Sequence, residues 1–212
     1  MTPTHITPLS DLERDALGEL SNIAMARAAN SLRQMVEYQV MLSVPNVDIV
    51  SKEAATGLIS KSNNPTLVAI RQDFTGAFSG RALLIFPEAS SLELVRIVVG
   101  RQLPLEDIVN LEDEALAETG NIILNSWVAT IANLLKSGLK MSLPTVVRGD
   151  SRQMFKSDES QNLVLFLHIK FEISAKEIRG YVALLMDIPS VDELRLLVAD
   201  FISNTTKMDR LE

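Results

Sequence analysis

Two pairs of polar side chains in this chain are spaced so that each could hold a water molecule for a reaction. Glu19 precedes Asn22 by three residues, and Glu118 precedes Asn121 by the same interval. On a helix this spacing makes the carboxylate and the carboxamide neighbours along one side. A carboxamide is not a useful base at neutral pH, but its donor and acceptor groups can hold a water. A fixed water attacks with less loss of orientational entropy, so the pairs are candidate hydrolytic sites.

The two pairs belong to an internal repeat with a period of 99 residues. Residues 15–36 align with residues 114–135, and five of the 22 aligned positions are identical. Three identities are apolar and fit a shared packing face, whereas the polar two are the Glu and the Asn. A proline follows each Asn after 22 intervening residues, at Pro45 and Pro144. The simpler alternatives are a solvated helix face or an Asn that bonds to backbone across the repeat interface.

Each half is predicted to contain a long helix, a strand, a short helical piece, a two-stranded hairpin and a closing helix. The first half places them near 9–35, 38–45, 51–60, 66–73 with 78–86, and 89–99; the second near 108–137, 139–147, 150–156, 162–173 with 178–187, and 190–202. Residues 100–104 are predicted to link a first repeat, 9–100, to a second, 108–206. Each half alone is small for a stable core. The predicted fold is therefore α+β, a single domain over 1–212 in which two pseudo-symmetric α-β-α-β-β-α repeats share a sheet packed against long helices.

The first long helix is predicted to present an apolar face centred on Ala16 and a polar flank opposite it. The apolar face is expected to include Leu9, Leu12, Leu20 and Ile23, to be interrupted by Arg27, and to drift toward Leu17, Ala24, Ala28 and Met35. The polar flank carries Asp15, Glu19 and Asn22 and continues to Ala26, and the second helix carries Glu114, Glu118, Asn121 and Asn125 at the same four positions. A carboxylate and a carboxamide one turn apart are thus offered twice.

Composition excludes several classes of protein. A net charge of −7 with scattered acidic residues disfavours non-specific binding to nucleic acid. The absence of cysteine excludes disulfides and thiolate chemistry, and two histidines, His5 and His168, are a poor supply of metal ligands. His168 is expected to be a packed or edge residue, and Trp127 to fill the core between the halves. The first fifteen residues lack a signal-peptide pattern and the apolar runs are too short to span a bilayer, so a cytoplasmic protein without membrane insertion is expected.

The first copy carries the longer pattern Asp-x3-Glu-x2-Asn-x22-Pro, in Asp15, Glu19, Asn22 and Pro45. This pattern resembles the motif of the CheC/CheX/FliY family of chemotaxis phosphatases, in which the first position is Asp or Ser. The resemblance covers nearly the whole chain, and its two-copy layout is similar to CheC. It implies that Glu19 and Asn22 are catalytic and that Asp15 and Pro45 support them.

The second copy matches the same motif from Glu118 through Asn121 to Pro144. It departs from the motif at Glu114, which stands where the family has Asp or Ser. The resemblance implies a second catalytic pair, Glu118 and Asn121, supported by Glu114 and Pro144. Because each copy has its own Glu and Asn, two independent sites are expected.

The resemblance also implies a reaction and a partner. The protein would remove the aspartyl phosphate of a CheY-like response regulator, with Asn positioning the attacking water and Glu docking on a lysine of the regulator. Positioning can suffice, since phosphoryl transfer depends mainly on geometry and charge stabilisation. No cofactor is expected on this chain, because the Mg²⁺ would belong to the phosphorylated partner.

Two alternatives remain open. The chain could be a non-catalytic CheC-like interaction module that binds a response regulator or a CheD-type deamidase, for which residues 148–156 are one place of docking. It could instead be a metal hydrolase that uses Glu112, Asp113, Glu114 and Glu118. Turnover by catalytic amounts of protein separates the enzyme from the binding module, and loss of activity on metal removal identifies the hydrolase.

Overall fold

The computed structural model describes residues 8–36, 39–60, 66–99, 105–156, 163–173 and 176–208. The elements in these ranges are α1 (Asp11–Met35), β1 (Val40–Ser51), α2 (Lys52–Ser60), β2 (Leu67–Gly76), β3 (Gly80–Pro87), α3 (Glu88–Val99), α4 (Leu105–Leu134), β4 (Leu139–Met141), β5 (Thr145–Gly149), α5 (Ser151–Met154), β6 (Leu163–Ile173), β7 (Lys176–Met186) and α6 (Ile188–Met208). The predicted order of elements is confirmed in both repeats. β1 runs further than predicted, to Ser51, and its counterpart is divided into β4 and β5. The predicted link, 100–104, lies outside the described residues.

One antiparallel sheet joins the two repeats. Its strand order is β1-β6-β7-β3-β2-β4, and β5 also pairs with β2. The first strand of each repeat pairs with the second strand of the other, and β3 pairs with β7 at the centre. If each strand is replaced by its counterpart in the other repeat, the same strand order is obtained in reverse. A pseudo-twofold axis therefore lies between β3 and β7. The predicted shared sheet is confirmed, with β1 at one edge and β4 and β5 at the other.

Helices cover both faces of the sheet. A large core holds buried residues of α1, α3, α4 and α6 on one face, and a smaller core holds residues of α2 and α5 on the other. Trp127 is buried in the larger core, as predicted. A Cβ at Gly120 would lie 2.4 Å from Ile70 Cγ2, so only glycine permits this close approach of α4 to β2. No described helix has both the length and the apolar content needed to cross a membrane.

The buried face of α1 differs from the predicted one. Leu12 and Ile23 were expected in the core, but 60% and 37% of their surfaces are exposed, and Met35 is exposed as well. The buried face follows Leu17, Leu20, Ala24, Met25, Ala28 and Leu32. The prediction considered one partner surface, whereas α1 packs against both the sheet and α4. Small residues such as Ala24 and Ala28 allow α4 to approach, which turns Leu12 and Ile23 outward beside Glu19.

The N-terminus of α1 is fixed to α6 through Glu13. Ser10 and Glu13 form a reciprocal capping box, which satisfies backbone donors at the helix start. Arg195 donates from Nε to Glu13 Oε1 at 2.9 Å and from Nη2 to Glu13 Oε2 at 3.1 Å. This guanidinium is the main cause that lowers the pKa of Glu13 from 4.5 to about 2.

Glu13→Gln is expected to lower the free energy of unfolding at pH 7 by about 2 kcal/mol, because charge-assisted hydrogen bonds are lost. Since folding lowers this pKa, the stabilisation is fully present above pH 4.5 and is lost as the pH falls toward 2. Urea unfolding at pH 7, 4.5 and 3 checks this, with the exposed α6 substitution Asp200→Asn as the control. A difference between wild type and Glu13→Gln that stays constant from pH 7 to pH 3 would contradict it.

Candidate functional site

The first predicted pair lies where α1 runs beside the edge strand β1. Glu19 and Asp15 are exposed, one turn apart, and Asn22 is half-buried. Pro45 is exposed on β1. The structure therefore brings the polar residues of the first copy to one side of α1, facing an edge of the sheet.

A β-bulge in β1 explains why Asn22 and Pro45 occur at a fixed separation. Ser43 pairs with Lys170 and Asn46 pairs with His168, so two residues, Val44 and Pro45, oppose the single residue Ile169. Val44 has no partner residue in β6 at this point, and proline has no N–H to offer. The backbone groups of Val44 need another partner, and the side chain of the helix supplies it.

The amide of Asn22 is that partner. Its Oδ1 accepts from the backbone N–H of Val44 at 2.9 Å, and its Nδ2 donates to the carbonyl of Val44 at 3.4 Å. Nδ2 also donates to the carbonyl of Gly18 at 3.0 Å. Both ends of the amide are thus engaged by backbone, within one repeat rather than across the repeat interface. Asn22 fixes the strand to the helix and has little capacity left for a water.

The second predicted pair lies at the opposite edge of the sheet, where α4 runs beside β4 and β5. Glu118 and Glu114 are exposed, and Asn121 and Pro144 are half-buried. The strand is interrupted between β4 and β5, where Leu143 is 86% exposed. The aligned residue of the first repeat, Val44, is only 4% exposed. The two edges therefore differ beside their Asn residues.

A buried glutamine of β2, Gln72, contacts Asn121. Gln72 Nε2 donates to the carbonyl of Ser142 at 2.9 Å and to Asn121 Oδ1 at 3.2 Å. Asn125 Nδ2 donates to the same oxygen of Asn121. The oxygen of Asn121 thus accepts two hydrogen bonds, while its Nδ2 bonds to no other residue within the described ranges. Asn121 has a free donor group beside Glu118, which Asn22 lacks beside Glu19.

The strand pairing identifies the counterpart of Gln72 in the first repeat. Asn46 pairs with His168, and its aligned residue, Thr145, pairs with Arg71. Ile169 follows His168 and Gln72 follows Arg71, so Ile169 and Gln72 occupy equivalent positions in the two repeats. Sequence spacing gave no indication of Gln72, but one signal was present. Gln72 is polar, whereas the other residues on the same face of the strand, Val68, Ile70 and Phe74, are apolar.

Arg148 of β5 holds two of the acidic residues near the start of α4. It pairs with Glu112 at 3.1 Å and with Asp113 at 2.6 Å, contacts that raise the pKa of Arg148. The first repeat has the reverse arrangement, in which Arg14 of α1 pairs with Asp48 of β1. Over the described residues, no group of three or more acidic, His or Cys side chains has a geometry for a metal. The carboxylates considered for a metal hydrolase thus do not form a common ligand set.

Other residues singled out in the sequence have structural surroundings. His168 is half-buried, and its ring contacts the rings of Phe166 and Tyr181. Burial lowers the pKa of His168, so it is a packed residue next to the edge strand, as predicted. Segment 148–156 contains β5 residues and the short helix α5, which Asp150 caps. Docking of a CheD-type deamidase there stays a prediction.

Comparison with known proteins identifies relatives over most of the chain. Residues 68–168 match the family model "Chemotaxis phosphatase CheX", a range that contains Gln72, Glu118 and Asn121. The chain is 22% identical over 175 residues to the flagellar motor switch phosphatase FliY of Bacillus subtilis, covering 82% of this chain but only 45% of FliY. It is 24% identical over 159 residues to the CheY-P phosphatase CheC of the same organism, covering 74% of each.

Solved structures agree on the fold. The crystal structure of Thermotoga maritima FliY superposes with a TM-score of 0.72 at 18% identity, covering 91% of this chain and 98% of that one. The middle domain of FliM from Helicobacter pylori has a TM-score of 0.58 at 10% identity, covering 89% and 99%. The motif copies, the interleaved sheet and these matches agree, and the chain is a homologue of the FliY and CheC phosphatases.

Proposed function

We propose that this protein dephosphorylates the phospho-aspartate of a CheY-like response regulator, in chemotaxis or related two-component signalling. The observation that carries the proposal is that the Nδ2 of Asn121 bonds to no described residue and lies beside the exposed carboxylate of Glu118. The names of two relatives, a motor switch phosphatase and a CheY-P phosphatase, support the same reaction. The proposed reaction and partner place the protein in the cytoplasm, with no role for nucleic acid or membrane insertion.

The proposed chemistry is hydrolysis of an acyl phosphate. Asn121 Nδ2 donates a hydrogen bond to the oxygen of a water and leaves a lone pair free to attack the phosphorus in line. The new bond joins the water oxygen to phosphorus, the bond from phosphorus to the aspartate oxygen breaks, and the proton of the water leaves with the phosphate products. Asn121 contributes position rather than base strength, which suits phosphoryl transfer. A Mg²⁺ ion that neutralises the phosphate oxygens would be held by the response regulator and not by this chain.

Glu118 is proposed to dock the partner rather than to transfer protons. Its carboxylate is exposed, and Glu114 lies one turn before it on the same flank. A cationic lysine beside the phosphorylation site of the regulator is a matching partner for this acidic flank. Exposed apolar surface lies nearby, on Leu111 of the same helix and on Leu143 beside Asn121. Apolar side chains of this kind are suited to the centre of a protein interface.

The first copy is proposed to contribute mainly to binding. Glu19 is exposed and is flanked by the outward-facing Leu12 and Ile23, so a docking surface like that of the second copy is present. Asn22, however, is held by the backbone of Val44 and must break those bonds to hold a water. We therefore assign most of the turnover to Glu118 and Asn121, with Glu19 and Asn22 as a weaker site.

The test is turnover by substoichiometric protein. A phosphorylated CheY-like receiver, in about tenfold or greater excess over this protein, is expected to lose phosphate several times faster than it does alone. Release of phosphate in excess of the protein added shows catalysis. An effect that saturates at one equivalent identifies the non-catalytic interaction module instead. Decay at the receiver's own rate, across several receivers of the same organism, would contradict the proposal.

A further inference from the structure

We propose that Gln72 is a positioning residue for Asn121, an inference that rests on the proposed function and deepens it. Gln72 is on β2, far from the motif in sequence, and its side chain lies between Asn121 and the strand edge. It touches neither water nor phosphate in the proposed reaction. It acts by fixing which end of the Asn121 amide faces the partner.

The orientation follows from a chain of hydrogen bonds that begins at backbone. Ser142 is fixed on β2, because its N–H donates to the carbonyl of Asp73 at 2.8 Å and its Oγ accepts from the N–H of Asp73 at 2.9 Å. The carbonyl of Ser142 can only accept, so Gln72 must present its Nε2. Asn121, next to this nitrogen, must then present its oxygen. The Nδ2 of Asn121 is left pointing away from the strand.

The position of Gln72 does not require a polar side chain for stability. The residue is 1% exposed, and its Oε1 has no hydrogen-bond partner within the described part of the chain. A buried polar atom without a partner costs about 1–3 kcal/mol. The equivalent position in the first repeat is filled by an apolar residue, Ile169, which is also buried. Retaining glutamine here costs stability, which is consistent with a role in the site.

The first repeat shows the result of having no glutamine. There the side chain opposite the bulge is that of Ile169, which cannot bond to an amide. Asn22 then bonds directly to the backbone of Val44 with both ends of its side chain. In the second repeat Gln72 bonds to the carbonyl of Ser142, one residue before the position that aligns with Val44, and to Oδ1 of Asn121, so that Gln72 rather than the strand backbone contacts the amide. One residue at equivalent positions thus separates an engaged amide from a free one.

Gln72→Leu tests the proposal, since leucine fills a similar volume without donors. The kcat of Gln72→Leu for receiver dephosphorylation is expected to be about 10-fold to 100-fold lower than that of the wild type, because a small displacement of a positioning group has effects of this size. KM is expected to stay within about twofold, because Glu118 remains for docking. The unfolding temperature should stay the same or rise, which a merely structural role would not give. Ile169→Leu, the matched change in the first repeat, should leave kcat and KM unchanged, whatever it does to the unfolding temperature of the buried core.

Gln72→Met is the second variant if Gln72→Leu does not fold, because its flexible side chain adapts to the same space. An independent readout is the side-chain amide of Asn121 by NMR, which should shift and exchange more slowly with water in either variant. If the wild-type protein shows no turnover but the Asn121 amide resonance still shifts in the variant, the proposed function is rejected and the positioning role is kept. Wild-type kcat in a folded variant, or unchanged Asn121 resonances, would overturn the positioning role itself.

Discussion

Asn121→Ala is expected to lower kcat for receiver dephosphorylation about 100-fold, the usual loss for one preorganised polar group in an active site. The substitution removes the one amide of the two copies whose nitrogen is free to hold a water. Asn22→Ala is expected to leave kcat per folded molecule within about threefold of wild type. The amide that it removes is already bonded to the backbone of Val44 at both ends.

The measurement is steady-state phosphate release from a phosphorylated receiver, with each variant checked for folding by circular dichroism. Asn133→Ala is the matched control, because Asn133 is exposed on the same helix, more than two turns beyond Asn121. Glu118→Gln separates docking from chemistry, since it should raise KM more than it lowers kcat. That rise should shrink at high salt, where the proposed ion pair is screened. If folded Asn121→Ala keeps most of the activity while Asn22→Ala loses it, the assignment of the main site is wrong.

The motif alone predicts a different distribution of activity. Two copies of Glu-x2-Asn-x22-Pro imply two equivalent sites, so that only Asn22→Ala combined with Asn121→Ala would abolish turnover. The motif residues are indeed placed alike, on matching helix flanks at opposite edges of one sheet. The hydrogen bonds of the two amides nevertheless differ, and so do the residues opposite them outside the motif, Ile169 and Gln72. A motif specifies which groups are present, whereas their availability depends on residues that approach from other strands.

The fold could be predicted further than the site. A period of 99 residues, with matched prolines and apolar strand patterns, was enough to place the helices and strands of both repeats in the right order, although β1 runs on to Ser51 and its counterpart is divided into β4 and β5. The interleaving of the strands could not be read from it. In each repeat the first strand pairs with the other repeat's second strand, a long-range pairing that no local pattern encodes. Helix periodicity also misplaced Leu12 and Ile23, because the direction from which α4 packs is not visible in the sequence of α1.

The spacing between Asn and Pro now has a physical explanation in the first copy. β1 runs beside α1, so that the residue before Pro45 meets Asn22. The proline lies at the bulge, where its missing N–H costs no ladder hydrogen bond. The interval in the first copy is therefore a packing constraint that fixes a helix to an edge strand. Such a constraint holds whether or not the copy performs catalysis, so the interval itself does not identify a working site.

Asn22→Ala is accordingly expected to act on stability, with a loss of about 2 kcal/mol in the free energy of unfolding. The substitution leaves the N–H and the carbonyl of Val44 without partners at a bulge where Val44 is only 4% exposed. Each buried backbone group without a partner costs about 1–3 kcal/mol, and the better helix propensity of alanine returns a few tenths. Water at the open edge of the sheet can bond to one or both of these backbone groups, which keeps the total loss of unfolding free energy near the lower end of that range.

Urea unfolding of Asn22→Ala, Asn30→Ala and Asn121→Ala measures this effect. Asn30 is exposed on the same helix, so Asn30→Ala should change stability by less than about 0.5 kcal/mol. Asn121→Ala should cost less than about 1 kcal/mol, because Gln72 keeps its bond to the carbonyl of Ser142 when Asn121 is gone. The two substitutions would then have opposite profiles, one losing stability and the other losing turnover. Equal losses of stability at Asn22 and Asn121 would show that both amides hold their strands in the same way, and the distinction between an engaged and a free amide would fail.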